Sequence, residues 1–358
     1  MITLLPDFRE EGWHSMDLCA DMLLKHCPAG TEVVDSLPKY RKVLGWLPGK
    51  KTKNFDRWYN RWKVYPRHVE TLWSGSGFFH LVDHSYAHLL NYLPEGRAGV
   101  YCHDLEAFRS ILEPEREQRP AWFLKMMGRV FEGFKKAKVV FCSTETTRNR
   151  LLQLGFWQSE SIHVVPYGVA EEFVPEGYKE SGNYLLHVGS CISRKRIDFL
   201  LEIFARVHSS YPEVQLIQAG GTFSEAQLHQ IKHLGIGKAI EQRRGLSREG
   251  LARLYRGAKC LLVTSEAEGF GLPVIEALSC GCPVVVSDIP TLREAGGGDA
   301  QYCPILETGV WVKTIAKNLD CDLVGIRSDR RANISQRYSW QLHAKTISEV
   351  YSSFTQCK

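Results

Sequence analysis

Short apolar runs alternate with amphipathic helical stretches along almost the whole chain. Such runs predict buried strands, and they occur in two series. The first series has strands at 2–5, 33–35, 78–82, 99–102, 139–142 and 163–165, with helices at 16–25, 121–136 and 144–154. The second has strands at 184–188, 214–218, 260–263 and 283–287, with helices at 197–209, 225–234, 248–256 and 274–280. Because strands that alternate with helices form parallel sheets covered on both faces, the sequence predicts an α/β protein with two doubly wound, Rossmann-like domains.

The length of the chain also favours two domains. Its 358 residues are more than a single hydrophobic core usually organises. Residues 171–183 are predicted to be the linker, because Pro175 and Gly182 stand there among charged residues. The first domain is then 1–170 and the second 184–338. Ligands of such sheets bind beyond the carboxyl ends of the strands, so we expect the domains to face each other across a cleft that these ends line.

A glycine-rich turn in the second domain carries two carboxylates eight positions apart, Glu268 and Glu276. The turn follows the apolar run 260–264, and Pro273 suits the first position of the helix after it. A helix N-terminus offers N–H groups to a phosphate, while a carboxylate accepts hydrogen bonds from neighbouring sugar hydroxyls. The pattern therefore predicts a pocket for a ligand that is both phosphate and sugar. The alternative is structural, since glycine turns are common and a glutamate near a helix start is favourable in itself.

Composition and cysteine usage favour an intracellular globular protein. Apolar and charged contents of 44% and 24% are ordinary, and no apolar run is long enough to span a bilayer. The first residues lack a basic leader and a long apolar stretch, so we expect no secretory signal. The eleven cysteines show no metal or redox spacing, and those in apolar runs, such as Cys102, Cys142 and Cys260, pack as free thiols. We therefore expect a cytoplasmic location.

Residues 39–67 form the most strongly charged segment. Ten of them are lysine or arginine and only Asp56 is acidic, so the segment carries +9 and the remainder −4. Aromatic residues are interleaved with these cations, namely Tyr40, Trp46, Phe55, Trp58, Tyr59, Trp62 and Tyr65. Such a mixture suits an anionic surface and predicts peripheral association with the inner face of the cytoplasmic membrane. Two alternatives stay open: a single-stranded nucleic acid bound by stacking, which no other motif supports, and a solvated loop with aromatics packed beneath it.

Several segments, taken in order, resemble the family-4 retaining glycosyltransferases (glycosyl transferases group 1), which have the GT-B fold. The resemblance spans most of the second domain. The segment from Glu268 to Asp288 reproduces an E-x7-E motif with the strand after it, and 187–190 followed by Arg194, Lys195 and Arg196 resembles the phosphate-binding strand and loop. Shorter matches occur at 245–247, 254–255, 102–105 and 164–169.

This resemblance implies a role for each matching residue. Glu276 would bind the ribose hydroxyls of a nucleotide sugar, and Glu268 would hold the transferred sugar. Arg194 and Lys195 would neutralise the diphosphate. The remaining donor-binding positions are Gly12, Leu246, Gly269, Phe270, Gly271 and Leu272.

In the first domain, His103 would approach the sugar and position it rather than act as a base. The alternative is a structural histidine satisfied by Asp104. The C-terminal helix 339–358 would return to the first domain, as it does in the family. Three positions depart from the family pattern, namely Ser190 in place of Arg, Tyr167 in place of Asn, and Glu11 in place of the first residue of a glycine pair.

The implied function is transfer of a hexose, of mannose or glucose type, from a nucleotide diphosphate sugar to a glycan or lipid-linked acceptor. The family retains the anomeric configuration, which same-face attack explains, and the setting would be cell-surface polysaccharide or glycolipid synthesis. No cofactor and no metal is expected, because the family uses fixed cations and no convincing Asp-x-Asp ligand pair occurs. No nucleic-acid partner is expected either. Two other functions stay open: a sugar-nucleotide epimerase on the same fold, and a non-catalytic sugar-binding protein.

Overall fold

The computed structural model describes residues 1–45, 49–73, 77–320, 334 and 336–356, and only the backbone of His14, Lys50, Thr355 and Gln356. Trp46 and the side chain of Lys50, both counted in the basic segment, therefore lie outside the described residues. Contacts group the chain into two compact units. Unit 1 is Met1–Tyr167 with Trp340–Lys358, and unit 2 is Gly168–Ser339.

Unit 1 is built on a parallel sheet. Its strands are β1 (Ile2–Leu5), β2 (Val33–Asp35), β3 (Phe78–Leu81), β4 (Ala98–Cys102), β5 (Val139–Cys142) and β6 (Ile162–Val164). They pair in the order β2-β1-β3-β4-β5-β6. Every residue of β1, β4 and β5 is buried, as expected for strands covered by helices on both faces.

The helices of unit 1 cover both faces of this sheet. They are α1 (His14–His26), α2 (Lys50–Tyr59), α3 (Tyr65–Glu70), α4 (Arg109–Leu112), α5 (Ala121–Lys135) and α6 (Glu145–Gln153), with a 3-10 segment at His84–Tyr92. Thr144 caps α6 by accepting from the backbone N–H of Thr147 at 3.1 Å. Gly133 lets α5 approach the 3-10 segment closely, because a Cβ there would collide with the carbonyl of Ala87.

The basic segment is helical where the sequence predicted neither helix nor strand. A π-helical turn, Asn60–Val64, joins α2 to α3 without a break. The buried Asp56 and Asn60 hold the preceding loop against this helix. Asp56 accepts from the backbone N–H of Leu44 at 2.8 Å, and the side chain of Asn60 bonds both the N–H and the carbonyl of Arg41. The solvated-loop alternative is therefore wrong for the backbone from Lys50 onward, although Tyr40 and Trp62 do pack against the core as that alternative expected.

Unit 2 contains the second parallel sheet. Its strands are β7 (Tyr184–Gly189), β8 (Gln215–Gly220), β9 (Ile240–Arg243), β10 (Cys260–Val263), β11 (Val284–Ser287) and β12 (Gln301–Cys303). They pair in the order β12-β11-β10-β7-β8-β9. The helices are α7 (Ile197–Ser210), α8 (Glu225–His233), α9 (Arg248–Gly257), α10 (Leu272–Ser279), α11 (Pro290–Gly296) and α12 (Thr308–Asp320).

The last helix, α13 (Trp340–Gln356), belongs to unit 1 and packs on α1. The hydroxyl of Tyr351 donates to the carbonyl of Phe79 at 3.3 Å and lies 2.9 Å from Nδ1 of His80. Gly99 on β4 leaves space for this hydroxyl, since any side chain there would clash with it. None of the helices in the described ranges is both long and apolar enough to cross a membrane.

The predicted linker 171–183 makes hydrogen bonds with helices of unit 2. The hydroxyl of Ser279 donates to the carbonyl of Phe173 at 2.7 Å, and Arg256 donates to the carbonyl of Glu176 at 2.6 Å. The amide of Glu180 donates to the carbonyl of Arg253. The domain boundaries themselves stay predictions.

Each sheet has a point at which the strand order reverses. In unit 1 the reversal lies between β1 and β3, and in unit 2 between β7 and β10. Loops that leave two neighbouring strands in opposite directions open a crevice there, which is where ligands of doubly wound sheets bind. A ligand site is therefore expected at the loops that follow these four strands.

Candidate active site

Two loops meet at the reversal point of unit 2, one after β7 and one after β10. They are joined by hydrogen bonds between main chains and side chains. The amide of Glu266 donates to the carbonyl of Arg194 at 2.9 Å, and the hydroxyl of Thr264 donates to the carbonyl of Lys195 at 3.0 Å. Thr264 is fully buried, so this contact is shielded from water. The two loops therefore behave as one rigid platform.

Glu268 is the centre of a compact ion cluster on this platform. Its Oε1 lies 2.5 Å from Nζ of Lys195 and accepts from the hydroxyl of Ser265 at 2.6 Å. Its Oε2 lies 3.2 Å from Nη1 of Arg194, which also donates to the carbonyl of Ala267 at 2.8 Å. The three predicted residues Arg194, Lys195 and Glu268 are thus brought together, with a net charge of +1.

Burial and charge act in opposite directions on Glu268. Burial by itself would raise the pKa of its carboxyl, but Lys195 and Arg194 outweigh burial and lower the pKa below its ordinary value. The carboxylate is therefore ionised and holds both cations in fixed positions. Arg194 keeps 25% of its side chain exposed, so it can still meet an anionic ligand. Charges held in place before a ligand arrives need little reorganisation when charge develops on it.

The backbone next to this cluster is in an unusual conformation. Arg196 has φ 48° and ψ 50°, a left-handed geometry that costs a non-glycine residue energy. It directly precedes α7, and its guanidinium forms a paired contact with Asp198 at 2.8 and 3.0 Å. That pairing stabilises the turn and leaves Arg194 and Lys195, rather than Arg196, facing Glu268.

Glu276 lies in α10 and has a different environment. It is 9% exposed, and its Oε2 accepts a hydrogen bond from the hydroxyl of the buried Tyr255 at 2.9 Å. Burial raises the pKa of Glu276 to about 7, although Tyr255 and Arg248 partly oppose the shift. Glu268 and Glu276 are thus two carboxyls with pKa values moved in opposite directions, a pattern that occurs often at functional sites.

The turn between the two glutamates contains the remaining predicted positions of the motif. Gly271 has φ 101°, a left-handed value that favours glycine, and a Cβ there would stand 2.9 Å from Leu292. The ring of Phe270 packs edge-on against Tyr338 with centroids 5.4 Å apart. Gly269 precedes this ring, and Leu272 begins α10 with Pro273 in its first turn. The backbone amides of this turn are therefore held at a helix start.

Leu246 lies on the loop between β9 and α9 and is 39% exposed. Ser247 next to it caps α9 by accepting from the amide of Gly250 at 3.1 Å. The same helix carries Tyr255, whose hydroxyl reaches Glu276. The structure therefore connects the loop of Leu246 to Glu276 through α9, and the donor-binding role of Leu246 stays a prediction.

His103 follows β4 at the carboxyl edge of the sheet in unit 1. Its Nε2 donates to the carbonyl of Val82 at 2.7 Å, and its Nδ1 contacts the hydroxyl of Tyr167. Burial lowers the pKa of His103 to about 4, so the ring is neutral. Both ring nitrogens are engaged within unit 1, which fits a positioning role better than a base. Asp104, the partner proposed for a structural histidine, instead accepts from the amide of Glu106.

The reversal point of unit 1 holds a second group of carboxyls. Asp7 after β1 is 2% exposed, and burial followed by the charge of Asp83 raises its pKa well above the ordinary value. Burial would also raise the pKa of Asp83, but the charges of His84 and His103 and hydrogen bonds from Ser85 outweigh burial and lower the pKa below its ordinary value. Asp7 is therefore neutral beside an ionised Asp83.

Gly12, which follows the departure from the family pattern at Glu11, ends the short helical turn after β1. It has φ 74°, and a Cβ at this position would meet no atom within 4 Å. Space is therefore available beside its backbone. Its neighbour Glu11 is buried, and its carboxylate accepts from the hydroxyl of Tyr86 at 2.8 Å. The donor-binding role of Gly12 stays a prediction.

Ser265 and Tyr255 had no predicted role, yet they are the hydroxyl partners of the two glutamates. Ser265 stands at the start of the glycine-rich segment, so its proximity to Glu268 could have been inferred from sequence. Tyr255 lies on another element, and its contact with Glu276 depends on how α9 packs on α10. The roles of the predicted residues in binding and catalysis stay predictions.

Comparison with known proteins shows which family the second half of the chain resembles. Residues 169–314 match the model of the family described as glycosyl transferases group 1. The chain is 30% identical over 203 residues to an MMP alpha-(1->4)-mannosyltransferase from Mycolicibacterium hassiacum, covering 54% of this chain and 48% of the relative. It is 26% identical over 224 residues to O-antigen chain mannosyltransferase B from Escherichia coli, covering 58% and 57%. The match thus spans about half the length of the curated relatives.

Solved structures share the fold. The Anabaena protein HepE, in complex with UDP and glucose, aligns with a TM-score of 0.71 at 17% sequence identity, covering 98% of this chain and 99% of that chain. A sucrose-phosphate synthase from Thermosynechococcus elongatus aligns with a TM-score of 0.68 at 17% identity, covering 100% and 99%. The predicted fold class, α/β with two Rossmann-like doubly wound sheets of GT-B type, is confirmed. The predicted resemblance to glycosyl transferases group 1 is confirmed as well.

Proposed function

We propose that this chain, whose residues 169–314 are a glycosyl transferases group 1 domain, transfers a hexose from a nucleotide diphosphate sugar to a hydroxyl of a glycan or lipid-linked acceptor. The observation that carries the proposal is the cluster of Arg194, Lys195 and Glu268 at the reversal point of unit 2. The helix that follows this loop, α10, carries Glu276. Two named relatives are mannosyltransferases, which supports mannose as the hexose. One acts on an O-antigen chain, which supports a role in cell-surface polysaccharide synthesis.

The chemistry follows from where charge develops. When the bond between the anomeric carbon and the phosphate oxygen breaks, the diphosphate leaves with its electron pair and gains negative charge. Arg194 can contact two phosphate oxygens at once, and Lys195 adds a point charge. Positive groups aimed at the leaving oxygen stabilise the transition state more than the bound donor, which accelerates the reaction.

The two glutamates divide the binding of the donor between them. Glu268 is ionised and would accept from hydroxyls of the transferred sugar, while Glu276 would accept from the ribose. Retention would result if the acceptor attacks the face that the diphosphate leaves, with a phosphate oxygen accepting the acceptor's proton. No metal takes part in this scheme, because Arg194 and Lys195 supply the positive charge. Family 4 membership and retention are part of the proposal.

The test is hydrolysis of a panel of UDP-, GDP- and ADP-sugars, or transfer from them, with Glu276→Ala as the critical variant. Loss of one buried contact of this kind should weaken donor binding by about 1–3 kcal/mol. Glu307→Ala, an exposed glutamate of the same unit, is the matched control. Full activity of Glu276→Ala would overturn the proposal. Release of epimerised donor without acceptor would favour an epimerase, and donor binding without turnover would favour a sugar-binding protein.

We also propose peripheral association with an anionic membrane through residues 39–67. Not every cation of this segment is available for such a contact. Arg57 and Arg61 donate to the backbone carbonyls of Glu11 and Ser85, so they brace unit 1 rather than extend into solvent. Exposed positions such as Lys51 and Lys53 remain. Co-sedimentation with vesicles rich in anionic lipid at low salt tests the idea, and lack of binding removes it.

A further inference from the structure

A groove on unit 1 combines aromatic rings with cations and lies outside the residues assigned to catalysis or donor binding. It has a volume of about 330 Å³, within the range of ligand sites in proteins. One wall comes from α2 and the π-helical turn, and the other from α5. Its principal lining residues are Trp58, Trp62, Lys63, Trp122, Lys125 and Arg129.

Helical spacing explains why these side chains converge. Trp58 and Trp62 are four positions apart, so they lie on one face of the first wall. Trp122, Lys125 and Arg129 follow at three- and four-residue steps, which places them on one face of α5. This face is turned away from the buried core side of α5. The groove is therefore a regular product of two helix faces.

The indole ring of Trp62 is held in place by its neighbours in the groove. The ring of Trp62 stacks on His88 with centroids 4.2 Å apart and an interplanar angle of 28°, and the guanidinium of Arg129 lies 5.7 Å from its centroid. Arg129 also reaches the hydroxyl of Tyr92 at 3.5 Å. Trp122 is 68% exposed, so it offers its ring to a ligand at the rim.

The charge of the groove is one-sided. Lys63, Lys125 and Arg129 form no ion pair with any carboxylate in the part of the chain that the structure describes, and the lining contains no aspartate or glutamate. Elsewhere in unit 1 cations such as Lys135 and Arg148 have carboxylate partners. Three cations without counter-charge raise the local concentration of anions and favour a negatively charged ligand.

We infer that this groove binds an acidic saccharide chain, the anionic part of the acceptor, which rests on the proposed transferase function. The electron-rich face of an indole attracts the weakly positive C–H groups on the flat side of a sugar ring, and the cations meet its carboxylate or phosphate groups. The groove is concave and the exposed ring of Trp122 stands at its rim, which suits a chain lying along it better than a flat membrane surface. A nucleic acid would use the same stacking and charge, so the test must separate it.

The experiment is titration of the full chain with oligomers of galacturonate and of sialic acid, followed by tryptophan fluorescence and calorimetry. Each oligomer is compared with its methyl-esterified, uncharged form. We expect salt-sensitive binding of the acidic forms that is about tenfold tighter than binding of the esters. Oligo-dT and vesicles of anionic lipid are titrated in parallel.

Two exposed positions test the assignment without loss of fold. Lys125→Glu and Trp122→Ala should each weaken binding of the acidic oligomer by about tenfold. Lys317→Glu on α12 and Tyr178→Ala, both exposed in unit 2, are the matched controls and should leave binding unchanged. Donor hydrolysis should be unaffected in all four variants, because none of these residues lies at the donor site.

The outcomes separate the two proposals. Donor hydrolysis without binding of any acidic oligomer would overturn the groove assignment and leave the transferase function standing. Equal or tighter binding of oligo-dT, or vesicle binding that Lys125→Glu abolishes, would also overturn it. If Glu276→Ala retains full donor hydrolysis, the transferase function fails, whatever the groove binds.

Discussion

Glu276→Gln should make the protein more stable at alkaline pH while it weakens donor binding. Burial raises the pKa of Glu276 to about 7, from an ordinary value of 4.5. A raised pKa means that the fold prefers the neutral carboxyl. The stabilising contribution is therefore complete below pH 4.5 and is lost as pH rises through 7. At pH 8 the buried charge costs about 3 kcal/mol, since one pKa unit corresponds to about 1.4 kcal/mol.

Glutamine removes that cost because it cannot ionise. Its amide oxygen can still accept the hydrogen bond from the hydroxyl of Tyr255, which lies 2.9 Å from the carboxylate of Glu276 in the wild type. Its NH2 group adds a buried donor that costs about 1 kcal/mol at every pH. We therefore expect the variant to exceed the wild type by about 2 kcal/mol in free energy of unfolding at pH 8, and to lose this advantage at pH 4.5.

The assay is urea denaturation of wild type and variant at pH 4.5, 6 and 8, with Glu307→Gln as an exposed control. Donor binding is measured on the same samples. If ribose hydroxyls need the ionised carboxylate, wild-type affinity should fall about tenfold from pH 8 to pH 6, and the variant should be weaker and independent of pH. A variant that is less stable than the wild type at pH 8, or that binds donor as the wild type does, would refute the reasoning.

Three further substitutions test other parts of the structure. Lys195→Met leaves the buried Glu268 with one cation fewer, so urea denaturation should show a free energy of unfolding that is lower by about 3 kcal/mol. An unchanged free energy of unfolding would mean that the ion pair contributes nothing. Asp7→Asn removes a buried carboxyl whose pKa is raised mainly by burial. The variant's gain in melting temperature over the wild type should therefore be larger at pH 8 than at pH 4, and a difference that does not depend on pH would contradict this. In α5, Gly133→Ala should lower the free energy of unfolding by about 1–3 kcal/mol, because the new methyl group clashes with a neighbouring carbonyl. Gly128→Ala meets no atom, so it should be neutral or raise the free energy of unfolding by up to about 1 kcal/mol. Equal effects of the two variants would refute the packing of α5.

The fold was largely predictable because most strands are short apolar runs buried on both faces. The strands that the sequence did not reveal are β9 and β12. They are the outermost strands of the sheet in unit 2, and β9 reads Ile-Glu-Gln-Arg. An edge strand faces water, so it carries polar residues and loses the apolar signal. The helices at 50–70 escaped prediction for a similar reason, since their charged surfaces mask the periodicity of the few buried residues.

The candidate site was predictable only where one local segment contains it. The spacing of Glu268 and Glu276 around a glycine turn indicated both residues, and their loop lies where such a pattern places it. Sequence could not reveal that Tyr255 bonds Glu276 or that burial moves the pKa values of the two glutamates in opposite directions. Those properties arise from the packing of α9 on α10 and from distances between loops that are separated by more than seventy positions.

The return of α13 to unit 1 has a consequence for the order in which the protein matures. The hydroxyl of Tyr351 occupies the space above Gly99 and contacts β3, so unit 1 includes residues from before and after unit 2 in the sequence. β1 is synthesised before unit 2, but α13 can join unit 1 only after unit 2 has been synthesised. Unit 2 is synthesised in between from one continuous stretch and can fold earlier. Until α13 joins unit 1, Phe79 and Gly99 lack the contact with Tyr351 that covers them in the folded protein.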